Sequence, residues 1–335
     1  MKSKRAKSLQ RVGGKTMLEM ICKTAESISA KITLIVGFDK NSIINESKSF
    51  DFEISTCEQA SPIGTGDAVK CGINEVDDAD KVLVLYGDVP LIKKETLENL
   101  VSTDDKSLTI LSTKVDNPFG YGRVKKDNDG NVTQIIEEKD ASNADKKISE
   151  IFTGILCCNK ILLAEALKEI KNDNAAGEYY LTDIVSIINK KGFKIKTCIV
   201  SNEEVKGANT KKELSELEET FRKMKSKDLL EMGITVSDPN RVDVRGEVSA
   251  GTDCIIDVNV ILDGVVKLGD NVSIGPNTIL KDVEIGNNTS IEAFSHLVSS
   301  KVGKDCIIGP YARLREGSQI DDSAKVGNFV ETKKT

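Results

Sequence analysis

From Val244 to Glu331 the chain falls into units of six residues, each opening on an aliphatic or small residue. Many carry Gly or Asp second and a small or β-branched residue fifth. The clearest are L-G-D-N-V-S from Leu268, I-G-P-N-T-I from Ile274, I-G-N-N-T-S from Ile285, V-G-K-D-C-I from Val302 and I-G-P-Y-A-R from Ile308. Two units, opening at Leu280 and Leu297, are one residue short. A fixed short period of this kind is the signature of a parallel β-helix. Three units close one triangular coil, and the aliphatic residue points inward to stack on its equivalent in the next coil.

The remaining residues need a second domain, the natural prior for 335 residues. A net charge of −6 gives no electrostatic case for nucleic-acid binding. No apolar run approaches the ~20 residues of a membrane span. Lys2, Lys4, Arg5 and Lys7 mimic the start of a signal peptide, but Arg11, Gly13, Gly14 and Lys15 interrupt any apolar stretch after them. The eight cysteines form no C-x-x-C pair, and Cys157–Cys158 lies in an apolar run that suits buried thiols. This predicts a reducing cytoplasm, with neither a disulfide framework nor structural zinc.

Up to about residue 200, strand and helix signals alternate. Strands are predicted over Ile32–Val36, Lys81–Tyr86, Ser107–Val115, Glu150–Cys158 and Lys194–Val200, and helices over Thr16–Ser29, Thr65–Val76, Ile161–Lys171 and Leu181–Lys191. That alternation predicts a mostly parallel sheet with helices on both faces. Arg123–Ile136 reads as a hairpin turning at Asp129-Gly130. Asn209–Met232 is highly charged and lacks Pro and Gly, and Leu214, Leu217, Phe221 and Met224 recur at helical spacing. It predicts a long connecting helix stopped by Gly233, with the β-helix starting shortly after Asp238-Pro239.

Candidate chemistry gathers at the ends of these elements. Asp88 in Y-G-D-V-P follows a predicted strand, where open α/β sheets bind ligands and where a carboxylate can hold Mg²⁺ against phosphates. It can equally cap the turn before Pro90. Gly64-Thr65-Gly66 before a helix can offer backbone N–H groups to a polar ligand, or simply make the turn. Gly120-Tyr121-Gly122-Arg123 permits close backbone approach, which a hairpin entry also wants. Asn209 is either the N-cap of the connecting helix or an oxygen ligand to a cation. His296, the only histidine, ends one repeat and reads as a packing or surface residue.

Taken together, Q-A-S-P-I-G-T-G (59–66), Y-G-D-V-P (86–90), G-Y-G-R (120–123), E-E-K-D-A (137–141), T-G-I-L (153–156), G-E-Y-Y-L-T-D (177–183) and the hexapeptide tail resemble one family in its own order. It is the bacterial bifunctional N-acetylglucosamine-1-phosphate uridylyltransferase / glucosamine-1-phosphate N-acetyltransferase family. The resemblance implies a Rossmann-like α/β nucleotidyltransferase domain (1–208), a connecting helix (209–233) and a left-handed parallel β-helix (234–335). That handedness, an exception to right-handed crossovers, comes from the resemblance alone. So does the activity: UMP transfer from UTP to N-acetylglucosamine 1-phosphate with Mg²⁺ as cofactor, and acetylation of glucosamine 1-phosphate by acetyl-CoA, in a cytoplasmic homotrimer. Position by position, Lys7, Gln59, Gly64 and Thr65 match nucleotide contacts, and Tyr86, Gly87, Gly122 and Glu137 match sugar contacts. Asp88 and Asn209 match metal ligands, with Lys7 and Asp88 as the catalytic pair. Arg315 and Lys333 match sugar-phosphate positions of the acetyltransferase.

The departures are informative too. The chain opens at what resembles the last residue of the family's L-A-A-G-x-G-T-x-M loop, Ala6 replaces a usual Pro, and Phe152 replaces the Asn of N-T-G. The coils that carry the family's acetyltransfer histidine and coenzyme A pocket lie beyond Thr335. The expectation is therefore weak uridylyl transfer, restored by an upstream strand and glycine loop, and no acetyltransferase activity. Three readings stay open: an incomplete member of this family, a related nucleotidylyltransferase with another base or sugar, or a trimerising scaffold without catalysis.

Overall fold

A computed structural model describes residues 1, 3–76, 80–102 and 107–332. The chain divides into two units, Met1–Gln10 with Thr16–Glu213, and Arg11–Lys15 with Leu214–Thr335.

In the first unit the elements run in the predicted alternation. Past a short hairpin, β1 (Arg11–Val12) and β2 (Lys15–Thr16), of which Arg11–Lys15 groups with the second unit, come α1 (Met17–Glu26), β3 (Ile32–Val36), α2 (Lys40–Ser47), β4 (Ile54–Glu58), α3 (Thr65–Ile73) and β5 (Lys81–Val84). They are followed by α4 (Lys94–Val101), β6 (Leu108–Lys114), β7 (Arg123–Lys126), β8 (Val132–Ile136), β9 (Glu150–Asn159), α5 (Lys160–Glu169), α6 (Asp183–Lys190), β10 (Ile195–Ile199) and α7 (Asn202–Val205). Every predicted strand and helix forms, with ends that shift by up to three residues.

The sheet itself needs a correction. Its order is β10-β6-β9-β7-β8, with β5 also paired to β9, and only β10 and β6 pair in parallel. The reversed β9 lies between strands that share a direction, so its pairings are antiparallel although β5, β6, β7 and β10 run the same way. β3 and β4 form a separate parallel pair. Strand β9 is continuously apolar where it is covered on both faces: Leu156 and Cys158 face one core cluster with α5 and α6, and Ile155 and Cys157 face the other with α1 and α4. The predicted hairpin is present, with β7 against β8 and Gly130 at positive φ in its turn.

The second unit is a left-handed parallel β-helix, introduced by the long helix α8 (Lys211–Glu231). Its first strand precedes Asp238-Pro239, because Thr235–Val236 already pairs with Ile255–Ile256. The repeat register is visible in the side chains. Hexad-opening residues Ile256, Ile274, Ile291 and Ile308 stack in successive coils and are almost fully buried. Fifth residues Val272, Thr278, Thr289, Cys306 and Ala312 are buried as well. Fourth residues turn the corners in left-handed conformation, at Asn271, Asn277, Asn288, Asp305 and Tyr311. Asn and Asp tolerate that conformation best. Here they also form a ladder, Asn271 Nδ2 donating to Asn288 Oδ1 at 3.2 Å and Asn288 Nδ2 to Asp305 Oδ1 at 3.0 Å. At another corner the column changes to aromatics, and Phe294, Tyr311 and Phe329 stack with ring centroids 4.9 and 5.3 Å apart. A glycine second residue lets coils approach closely: a Cβ on Gly269 would lie 2.2 Å from Asn287 Oδ1.

Candidate functional site

The ends of β4, β5 and β8 and the starts of α3 and α6 place two connected groups of side chains in the first unit. The first group centres on Lys7. Its Nζ donates to Asn209 Oδ1 at 2.8 Å and forms an ion pair with Asp88 Oδ2. One cation thus lies within reach of both predicted metal ligands, and Asp88 and Asn209 face a common point. Gly207 makes room for this, since a Cβ there would sit 3.1 Å from the Asp88 carbonyl oxygen. Asn209 does not cap α8. Thr210 does, in a reciprocal capping box: Glu213 N–H donates to Thr210 Oγ1 at 3.1 Å, and Glu213 Oε2 accepts from the N–H groups of Asn209 (2.6 Å) and Thr210 (3.0 Å). The T-K-K-E spacing carried that signal, and it leaves the Asn209 amide for Lys7.

The second group runs from Gln59 to Glu137. Gln59 Nε2 donates to the Gly64 carbonyl at 3.1 Å and to Asp67 Oδ2 at 2.8 Å. Gly64 opens α3 at φ +134°, where a Cβ would meet the Tyr179 carbonyl at 2.3 Å, so only glycine fits. Thr65 Oγ1 accepts from the Leu181 N–H at 3.2 Å and is hydrogen-bonded to the Tyr86 hydroxyl. Burial pushes that phenol up to about 12. The Tyr86 ring lies against Gly154, whose added Cβ would come within 2.5 Å of it. Gly87 follows, backed by Ser8 and Leu18.

Glu137 closes this group. Its Oε1 accepts from Thr182 Oγ1 at 2.9 Å, and a Cβ on Gly122 would lie 3.6 Å from either carboxylate oxygen. Burial raises the Glu137 carboxyl above the ordinary range, more than the Thr182 hydrogen bond lowers it, and the Asp140 and Asp183 charges add to the rise. Asp183 is raised in the same way, by burial and then by Asp140. Thr182 was not singled out as a contact, although the T-D of G-E-Y-Y-L-T-D contains it. Phe152 sits in the apolar core with its N–H donating to the Gly122 carbonyl at 2.8 Å.

Outside this unit, Arg315 is committed to Glu331, with Nε at 2.8 Å and Nη2 at 2.7 Å. Lys333 lies outside the described residues. His296 pairs in register with Arg313, and burial followed by that positive charge holds its imidazole below the ordinary histidine range. All eight cysteines are free thiols. Among the described residues no helix is long and apolar enough to cross a membrane, and no three His, Cys, Asp or Glu side chains cluster to hold a metal.

Comparison with known proteins decides the family. The bifunctional protein GlmU of Alkalilimnicola ehrlichii is 41% identical over 99% of this chain and 72% of its own length. The chain belongs to the GlmU family. The GlmU proteins of Pseudoalteromonas atlantica and Burkholderia multivorans are likewise 41% identical, each over 74% of its own length. The MobA-like NTP transferase domain family matches residues 1–127, and the bacterial transferase hexapeptide family matches 266–298. A nucleoside-diphosphate-sugar pyrophosphorylase from Vibrio cholerae is similar in fold, with a TM-score of 0.51 at 17% identity, covering 65% of this chain and 93% of its own. This GlmU-family chain is a sugar-phosphate nucleotidyltransferase of the GlmU type joined to a hexapeptide β-helix.

Proposed function

We propose that the first unit transfers UMP from UTP to N-acetylglucosamine 1-phosphate. The product, UDP-N-acetylglucosamine, would serve peptidoglycan and lipopolysaccharide synthesis in a reducing cytoplasm. The observation that carries the reading is the placement of Lys7 between Asp88 and Asn209. A carboxylate and an amide carbonyl aimed at one cation are the oxygen donors Mg²⁺ takes alongside water and substrate phosphates. The residues therefore fit Mg²⁺, which when bound would neutralise charge on the triphosphate. Lys7 would then turn its ammonium to the phosphates.

In this reading a phosphate oxygen of the sugar 1-phosphate attacks the α-phosphorus of UTP in line. The bond from that phosphorus to the bridging oxygen breaks, and pyrophosphate leaves with the electron pair. No protein nucleophile is needed, so catalysis is positioning and charge neutralisation. Gln59, Gly64 and Thr65 would hold the nucleotide. Tyr86, Gly87, Gly122 and Glu137 would hold the sugar. Glu137 accepts hydrogen bonds from sugar hydroxyl or amide groups, and Thr182 keeps its carboxylate turned to them.

The test is pyrophosphate release with UTP and a panel of sugar 1-phosphates, with and without Mg²⁺. The expected result is metal-dependent release that prefers N-acetylglucosamine 1-phosphate over glucose 1-phosphate by at least tenfold. Equal use of both sugars, or release unchanged by chelation, would overturn it. We further propose that the hexapeptide β-helix trimerises the chain, as this class of repeat supports. A purely monomeric species in sedimentation equilibrium would refute that.

A further inference from the structure

We propose that Arg123 and Glu138 act as a positioning pair that sets the sugar selectivity of this site, an inference that rests on the assignment of Gly122 and Glu137 to the sugar. Arg123 opens β7 opposite Ile136, and only 1% of it is exposed. A strand position so deeply buried would be served more stably by an apolar residue of similar size, because desolvating a guanidinium is costly. The cost is not even fully recovered: Arg123 Nε is buried without a hydrogen-bond partner. An ion pair kept under these conditions holds a geometry.

What it holds is the glycine segment. Arg123 Nη2 lies 2.5 Å from Glu138 Oε2, and Nη1 donates to the Tyr121 carbonyl. The same Glu138 Oε2 accepts from the Gly120 N–H at 3.1 Å. The pair therefore grips the backbone at Gly120 and at Tyr121, while the Phe152 N–H holds the Gly122 carbonyl at 2.8 Å. Gly122 is the wall beside the Glu137 carboxylate. Glu137 and Glu138 divide the work as chain neighbours just past the end of β8, one carboxylate hydrogen-bonded to Thr182 and the other to Arg123. If the pair is lost, Gly122 is free to move relative to Glu137, and the space for a sugar's 2-substituent loses its definition. The nucleotide contacts at Gln59 and Thr65 make their hydrogen bonds to other partners and stay as they are.

Titration calorimetry with UDP-N-acetylglucosamine, UDP-glucose and UDP tests this on wild-type protein, Arg123→Met, Arg123→Lys and Glu138→Gln, with thermal unfolding as the folding check. Wild type should bind UDP-N-acetylglucosamine in preference to the other two. Arg123→Met and Glu138→Gln should lose about tenfold or more of that affinity, the scale of a charge-assisted hydrogen bond, with the Kd for UDP within about twofold of wild type. Arg123→Lys keeps the charge without the fork and should recover only part. Should Arg123→Met fail to fold, Glu138→Gln at the partly exposed partner carries the test. Variants that keep the wild-type preference, or that lose UDP and UDP-sugar affinity alike, overturn the pair's role. A wild type without preference for either UDP-sugar over UDP instead overturns the sugar assignment beneath it.

Discussion

Glu137 and Glu138 are adjacent in the chain, yet their carboxyls are driven in opposite directions. Burial raises Glu137, whereas the Arg123 hydrogen bond, helped by the Gly120 N–H, lowers Glu138. A raised carboxyl is a stability defect. Below the ordinary glutamate pKa of about 4.3 the group is protonated in folded and unfolded chains alike and contributes nothing. As pH rises from there towards the raised value, the unfolded chain releases its proton first and stability falls. Above that window the penalty is complete.

Glu137→Gln should therefore have a higher thermal midpoint than wild type at pH 7 to 8, with the advantage vanishing as pH approaches 4. The same substitution should weaken UDP-N-acetylglucosamine binding about tenfold or more, the scale of a lost hydrogen bond to a charged group. Scanning calorimetry across pH, paired with titration calorimetry, checks both halves. A lower midpoint at pH 7 would show that the carboxylate is better solvated than its surroundings indicate.

Asp88→Asn and Lys7→Met should each lower pyrophosphate release by about a hundredfold or more, the usual scale for removing one preorganised electrostatic contact. Asp88→Asn should also raise the Mg²⁺ concentration needed for half-maximal rate, and Lys7→Met should not. Rates within threefold of wild type for both variants would remove this pair from the chemistry.

Gly154→Ala should destabilise the first unit by about 1–3 kcal/mol, the cost of a side chain forced into an unfavourable φ. The position has φ +89°, and the new Cβ would enter the Tyr86 ring. Urea unfolding measures the loss, and sugar binding should fall with it because Tyr86 must move. Stability unchanged within 0.5 kcal/mol, the ordinary range for a surface substitution, would mean the backbone relaxes there freely.

The β-helix was legible because each side-chain role recurs at one place in a six-residue frame, and the structure repeats those roles at Ile274, Asn277 and Thr278. The strands of the α/β unit were legible as apolar runs between turns. Their pairing was not, because periodicity says whether a run is buried and is silent about direction: nothing in E-I-F-T-G-I-L-C-C announces that β9 runs against its neighbours. Asn209 carried two readings until Thr210 proved to be the cap. Arg123 entered the sequence reading only as the end of the glycine segment and the start of a hairpin, because its burial depends on Glu138, fifteen positions along.

The two short units at Leu280 and Leu297 occupy neighbouring coils, and the columns beyond them still align, Leu280 over Leu297 and Ile285 over Val302. In a stack of parallel coils the length of each turn is a shared dimension. Here a one-residue difference between turns is taken up locally: the full unit at Leu262 pairs with the short unit at Leu280 through a register shift between Asp263 and Val266, and the columns are in step again at Leu268 over Ile285. A length change in this solenoid is therefore a local event that leaves the column of Ile256, Ile274, Ile291 and Ile308 in step, and the place to look for a tolerated insertion or deletion is the face that already carries one.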